Sequence, residues 1–417
     1  MNNAHRDVQK SIIFAHSLVH MLQLIDQSAK LIERTPVEFK RYLYHQIRWD
    51  QRLIGIKGAR GTGKTTLLLQ WLKEQDLMAH QGVYITLDDL YFSSNSLLDT
   101  AREFYRQGGQ VLAIDEVHKY NNWSSEIKNC YDLLPDLKII FTGSSIIDIT
   151  RQEGDLSRRV LMYDLQGMSY REFLGIKKIV DLAPVPLEAM ISNSSDFVKA
   201  LPADIRPAAY FQQYLRSGYY PFALEDEESL HQRLNQLIRT IVEYDMAELP
   251  GFDIRNARKM LQLLYVIAQQ VPFKPNISSL ALKTGIHRNS LPNYLHYLDQ
   301  AQLIRLIYPA GSSISILQKP EKLFLNNTNL LYTLATNEPE KGNVRETFFQ
   351  SQLRVNHKVE MPLKGDFFVD DTYTFEVGGK KKSSSQLQGI GKSFVVRDDI
   401  DTPLLGIIPL WAFGLLY

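Results

Sequence analysis

The run Gly58-Ala59-Arg60-Gly61-Thr62-Gly63-Lys64-Thr65 constrains this chain more than any other feature. It fills every position of the pattern G-x-x-x-x-G-K-[ST]. The apolar run Leu53-Ile54-Gly55-Ile56 precedes it and Thr66-Leu67-Leu68-Leu69-Gln70-Trp71-Leu72 follows, so strand, loop and helix stand in the order the pattern requires. Glycines let consecutive N–H groups turn inward, and the helix N-terminus adds a partial positive charge; together they cradle phosphate oxygens. Lys64 can reach the β- and γ-phosphates, and the Thr65 hydroxyl can ligate Mg²⁺. The candidate nucleotide-binding residues are therefore Gly58, Ala59, Arg60, Gly61, Thr62, Gly63, Lys64, Thr65 and Thr66.

About fifty residues on, Gln110-Val111-Leu112-Ala113-Ile114-Asp115-Glu116 reads as an apolar strand ending in two carboxylates. Behind a complete phosphate loop, Asp115 is placed to help hold Mg²⁺. Glu116 is placed to polarise an attacking water as general base. The carboxylate pair favours an ATP-hydrolysing enzyme over a kinase, which needs a bound acceptor instead. Phe141-Thr142-Gly143-Ser144-Ser145 ends a further buried strand with hydroxyls. Thr142 there orients the attacking water or senses the γ-phosphate, or else simply stabilises a strand-end turn. Arg158 and Arg159 precede a last strand, as solvated arginines or as a finger toward a neighbouring subunit's nucleotide.

At 417 residues the chain is too long for one ordinary core, and two to four domains are expected. The net charge of +1 announces no nucleic-acid or acidic partner. Cys130 is the single cysteine, which excludes a disulfide framework or a cysteine-rich metal cluster within one chain and fits a reducing cytoplasm. The N-terminus lacks a basic start followed by a clean apolar core, so no signal peptide is read. The apolar tail Pro403–Tyr417 is too short and too broken by Pro and Gly to span a bilayer, and reads as a buried strand and turn. No membrane partner is expected, and the cytoplasm is the expected compartment.

Ile12, Phe14, Leu18, Met21, Leu22 and Ile25 recur near helical spacing ahead of Trp49. Strands at Leu53–Lys57, Gly82–Leu87, Val111–Asp115, Leu137–Thr142 and Val160–Tyr163 then alternate with helices at Lys64–Gln75, Ser96–Gln107 and Trp123–Leu134. That alternation predicts an α/β fold, a parallel sheet with helices on both faces. By analogy with ATPases that carry a catalytic glutamate, the Lys138–Thr142 strand is expected between the phosphate-loop strand and the Asp-Glu strand.

The phosphate loop, Asp115-Glu116-Val117-His118 with Trp123, the Thr142-Gly143-Ser144-Ser145 turn, Arg159-Val160 and Ser169-Tyr170-Arg171-Glu172-Phe173-Leu174 follow one another in a recognisable order. In this the chain resembles a bacterial and archaeal group of AAA-type P-loop ATPases. The resemblance implies a nucleotide domain, a helical lid, a winged helix and a small C-terminal restriction-endonuclease-like α+β module. It also makes Arg159 the better finger candidate, which needs a neighbouring copy to act on; whether the chain forms a homo-oligomer is not named by the sequence. The expected organisation is N-terminal helices over 1–49, the P-loop ATPase core over 50–175, the lid over 176–255, the winged helix over 256–325 and the nuclease-like module over 326–417.

Within the lid, Gly218 and Pro221 read as a helix C-cap and a proline stop. Ile277–Asp299 reads as helix, glycine turn, helix, with Leu280, Leu282 and Ile286 packing one side and Leu291, Tyr294, Leu295 and Leu298 the other. A strand at Leu303–Ile307 completes winged-helix order. His287, Arg288 and Asn289 would open a recognition helix able to contact DNA, but few basic residues accompany them, which favours a protein-docking or structural role. In the last module, Asp366 and Glu376 are metal-binding candidates by similarity to a nuclease pattern of Asp, then Glu-x-Lys. Gly378 stands where the lysine belongs, so Lys380 or Lys382 would have to swing in; the expectation is a nuclease-like fold without nuclease chemistry. ATP and Mg²⁺ are the expected ligands. Three functions compete: a hydrolysing ATPase that remodels or loads a client, a nucleotide-gated switch, and an ATP-assisted nuclease. An intact Glu116 favours the first, and the client is not named by the sequence.

Overall fold

The computed structural model describes residues 20–144, 156, 158–192, 196–199, 201–202, 205–248, 252–311, 319–383 and 385–417. Ile12, Phe14, Leu18 and Ser145 lie outside these. The chain divides into two compact units, residues 1–165 and 166–417.

The first unit is built on five parallel strands, β1 (Leu53–Gly58), β2 (Gly82–Thr86), β3 (Val111–Asp115), β4 (Lys138–Ser144) and β5 (Leu161–Asp164), in the order β2-β3-β4-β1-β5. The fourth strand thus lies between the phosphate-loop strand and the Asp-Glu strand, as expected. Helices α1 (20–34), α2 (Lys64–Lys73), α3 (Leu97–Arg106) and α4 (Trp123–Leu133) accompany the sheet. Strands covered on both faces need no polar side, so β1, β3 and β4 read as nearly unbroken apolar runs. Ile54, Ile56, Ala113, Ile114, Ile139, Ile140 and Phe141 are all fully buried.

The N-terminal segment belongs to this unit. Met21 and Leu24 of α1 join the core of Val83, Ile85 and Leu112, whereas Leu22 faces outward, 55% exposed. At the sheet's β2 edge, where backbone groups lack a neighbouring strand, the Ser28 hydroxyl accepts the Tyr84 N–H at 2.8 Å. The segment after α1 is strapped to α2: Lys73 Nζ donates to the carbonyls of Glu33 and Thr35, both at 2.7 Å, and Gln70 Nε2 to those of Pro36 and Phe39, both at 2.8 Å.

The second unit begins with α5 (Tyr170–Ile176), whose start is fixed by a capping box between Ser169 and Glu172. There follow α6 (Leu187–Ser192), α7 (Asp196–Lys199), α8 (Ala208–Ser217) and α9 (Leu230–Thr240). Helix α8 ends at Ser217 with Gly218 as its cap, and Pro221 starts a short 3₁₀ turn, so the Gly-and-Pro stretch is a helix stop. Buried Asn329 completes it: its Oδ1 accepts the Tyr219 N–H at 2.8 Å and its Nδ2 donates to the carbonyls of Leu215 at 3.0 Å and Tyr214 at 3.3 Å.

Helices α10 (Ala257–Ala268), α11 (Ile277–Thr284) and α12 (Leu291–Gln300) precede an antiparallel pair, β6 (Ile304–Ile307) and β7 (Lys322–Leu325). Leu280, Ile286, Leu291, Tyr294, Leu295 and Leu298 are buried. Leu282 is not; it is 87% exposed, which corrects its placement with Leu280. Residues two apart on a helix point to different faces, and Leu280 takes the inward one.

After α13 (Thr328–Leu334) and α14 (Lys341–Leu353) comes a separate five-stranded sheet, an α+β arrangement in the order β12-β11-β10-β9-β8. Its strands are β8 (Val359–Glu360), β9 (Phe367–Val369), β10 (Tyr373–Gly378), β11 (Ser393–Arg397) and β12 (Ile407–Pro409). The β10-β11-β12 part is parallel and the β8-β9-β10 part antiparallel. The apolar tail forms β12 and a buried 3₁₀ turn over Leu410–Leu415. Ser169 Oγ at 2.7 Å and Arg171 Nε at 2.8 Å donate to the carbonyl oxygen of Tyr417. Among the described residues no helix is long and apolar enough to cross a membrane.

Candidate active site

Parallel strands bring their C-terminal ends to one edge, and β1, β3 and β4 deliver there the phosphate loop, Asp115-Glu116 and Thr142. Gly61 and Gly63 adopt φ of 78° and 93°, the left-handed region open to glycine, and Gly63 caps α2. This leaves the first N–H groups of α2 available to an anion. Arg41 donates to the Thr62 carbonyl, and Thr62 Oγ1 donates to the Ala59 carbonyl at 2.9 Å, so the loop is held from outside and within.

Lys64 is 5% exposed, with Nζ donating to the carbonyls of Gly58 at 2.9 Å and Ala59 at 3.0 Å. Burial pushes its pKa below the usual lysine range, while the charges of Glu116 and Asp115 pull it back. A phosphate offers this ammonium a stronger partner than two neutral carbonyls. Thr66 faces solvent on the first turn of α2, and Arg60 is partly buried in the loop.

Asp115 is the hub. Its Oδ2 accepts from Thr65 Oγ1 at 2.6 Å and from the Tyr84 hydroxyl at 2.9 Å; its Oδ1 accepts from Thr142 Oγ1 and, at 3.1 Å, from the Glu116 N–H. Burial, then the Asp115 charge, raises the Tyr84 pKa, keeping the phenol a donor. Thr65 and Asp115, the two candidate Mg²⁺ ligands, are thus already adjacent. Oxygen donors of this kind suit Mg²⁺, which takes one or two protein ligands and completes its shell with water and phosphate.

Glu116 has φ of 53°, unusual for a residue with a side chain, and its carboxylate Oε2 lies 3.1 Å from Nε2 of His118. His118 is buried, and burial first, then the charges of Lys119, Arg60 and Lys64, push its imidazole down to about 3. So lowered, the imidazole is neutral at pH 7.

The structure brings Lys64, Thr65, Asp115, Glu116 and Thr142 together. Arg159 is elsewhere. It stands two residues before β5, whose Leu161 pairs with Ile54 near the start of β1, so it lies toward the sheet end opposite the loop. Its guanidinium meets Asp132 of α4 through two contacts of 2.9 and 3.0 Å. Arg41, Tyr84 and His118 were not singled out from the sequence. His118 sits in the quoted Asp-Glu-Val-His stretch, but only the fold turns it back onto Glu116; Arg41 and Tyr84 carry no local signal.

Residues 50–174 match the AAA domain family. Residues 208–341 match a domain of unknown function, DUF8612. The uncharacterized protein MJ1637 of Methanocaldococcus jannaschii is 29% identical over 332 residues, 73% of this chain and 70% of that protein. Among solved structures, AMPPCP-bound DnaA from Aquifex aeolicus superposes with a TM-score of 0.27 at 14% identity, over 62% of this chain and 84% of that one. The S. cerevisiae Hsp104–ADP complex gives 0.29 at 14% identity, over 66% and 38%. Both superpositions are too loose to bear on function.

Proposed function

We propose that the chain binds Mg-ATP at Gly58–Thr65 and hydrolyses it to drive a conformational change of its winged-helix and C-terminal modules, a reading supported by the AAA-domain match over residues 50–174. The observation that carries this reading is the convergence on Asp115 of Thr65, Thr142 and the Glu116 backbone. The loop N–H groups and Lys64 hold the phosphates. Thr65 and Asp115 would hold Mg²⁺, which would supply neutralising charge to the phosphates. Glu116 accepts a proton from the attacking water, and Thr142 keeps Asp115 and the Glu116 backbone in place. Arg159 acts, on this reading, on a neighbouring copy's nucleotide after leaving Asp132.

The segment 256–325 is read as a winged helix. His287, Arg288 and Asn289 are exposed in the turn just ahead of α12. With so few cations beside them, a docking role suits it better than DNA binding.

Phosphate release and nucleotide binding test the proposal together. Wild type is expected to release phosphate in Mg²⁺ and ATP, and Lys64→Ala to lose ATP binding. A wild type that binds ATP without turnover would leave a switch rather than a hydrolase.

A further inference from the structure

A cavity of about 220 Å³ opens in the second unit where β6 meets the end of α14 and the start of β8. Its described walls include Arg305 of β6, Gln350 and Arg354 at the end of α14, and His357 and Lys358 ahead of β8. None of the described wall residues is acidic. Backbone hydrogen bonds just past the two strands join the sides. The Met361 N–H donates to the Tyr308 carbonyl and the Ala310 N–H to the Met361 carbonyl, both at 2.9 Å. The walls are therefore set before any ligand arrives. The cavity is smaller than the roughly 300–1,000 Å³ that drug-sized molecules occupy, so it suits a ligand of few heavy atoms.

Two buried side chains of the wall have polar groups left unmet. Arg305 is 7% exposed, and its Nε has no hydrogen-bond partner. Its Nη1 reaches only the Asp299 carbonyl, at 3.5 Å, and Asp299 Oδ1, at 3.7 Å. A buried guanidinium matched so loosely favours an incoming anion. Gln350 is fully buried, and its Nε2 donates to the carbonyls of Leu325 at 3.3 Å and Asn326 at 3.2 Å. Two carbonyls can only accept, so the amide nitrogen must face them. That leaves Oε1, which has no donor. The cavity thus pairs a cation that calls for an oxyanion with an acceptor that calls for a hydroxyl.

Arg354 adds a second, exposed guanidinium, with no carboxylate within ion-pair distance among the described residues. His357 and Lys358 already have acids outside the wall. Asp370 Oδ2 lies 2.6 Å from His357 Nδ1, and Glu360 and Asp371 lie 2.9 and 3.0 Å from Lys358 Nζ. The charge left for a ligand is that of the two arginines. We propose that this cavity binds the phosphate group of a small ligand, either inorganic phosphate or a phosphate monoester. The arginines take the charged oxygens, since a guanidinium fork matches phosphate geometry. A protonated phosphate oxygen or a ligand hydroxyl donates to Gln350 Oε1. Sulfate at neutral pH carries the charge but no hydrogen to donate, so the site prefers phosphate to sulfate.

Its test titrates the full chain by calorimetry near neutral pH and at constant ionic strength, with inorganic phosphate, glycerol 2-phosphate and sulfate as probes. Phosphate also suits the loop at Gly58–Thr65, so every titration is run in the Lys64→Ala background, where that loop is weakened. Saturable one-site binding of phosphate with Kd near or below about 1 mM is expected, with sulfate at least about tenfold weaker. Glycerol 2-phosphate binding more tightly than phosphate identifies a monoester as the ligand; the reverse order identifies inorganic phosphate. Adding Arg354→Ala should weaken phosphate about tenfold with the fold kept, because that side chain is exposed. Adding Gln350→Met should bring phosphate and sulfate to equal affinity. If Gln350→Met fails to fold, Arg354→Ala and the sulfate comparison decide. No saturable binding up to about 10 mM phosphate, binding that Arg354→Ala leaves unchanged, or sulfate held as tightly as phosphate with Gln350 intact overturns the proposal.

Discussion

At the residue scale, Glu116 and His118 make separable predictions. Glu116→Gln preserves shape and removes basicity, so turnover should fall about 10²–10⁴-fold with ATP affinity kept. Single-turnover phosphate release beside nucleotide titration reads both; unchanged turnover would move the base elsewhere. His118, held down at about 3 when folded, takes up its proton near 6.5 when unfolded. The unfolded chain thus binds the proton first. The stability His118 contributes is present above about pH 6.5 and is lost as pH falls toward 3, at about 1.4 kcal/mol per pH unit. Melting of wild type between pH 7 and 5 should therefore fall more steeply than that of His118→Gln. Equal slopes would assign the proton uptake to another group.

Elements are fixed by what meets their ends. The stop of α8 depends on Asn329, whose amide serves three backbone groups of the 214–219 turn. Asn329→Leu fills similar space but orphans these buried groups, at about 1–3 kcal/mol each. A loss of roughly 2–5 kcal/mol is expected, read as a lower denaturant midpoint for the second unit; a midpoint within error of wild type would mean water replaces the amide. The helix stop itself was legible from Gly218 and Pro221. Its partner was not, because Asn329 lies more than a hundred residues away. Leu282 shows the reverse: hydrophobicity alone assigned it to the core, and helix geometry turned it outward.

For the whole molecule, the placement of Arg159 away from its own phosphate loop makes assembly the question. If it acts on a neighbour, specific turnover should rise with protein concentration, and Arg159→Ala should lower turnover while sparing ATP affinity. Strictly proportional rates from a chain that stays monomeric with an ATP analogue would remove that role. The phosphate loop, the Asp-Glu strand and the alternation of strands and helices were decided by local sequence, because a phosphate cradle and a doubly covered sheet each need particular residues at fixed short spacings. The expected strand order followed from them by analogy, and the sheet has it. Tertiary structure alone decided which distant groups complete the site: Tyr84 and Thr142 on Asp115, and Arg41 on the loop. Those contacts join strands, turns and helices whose meeting depends on the packed core, so no short spacing in the chain encodes them.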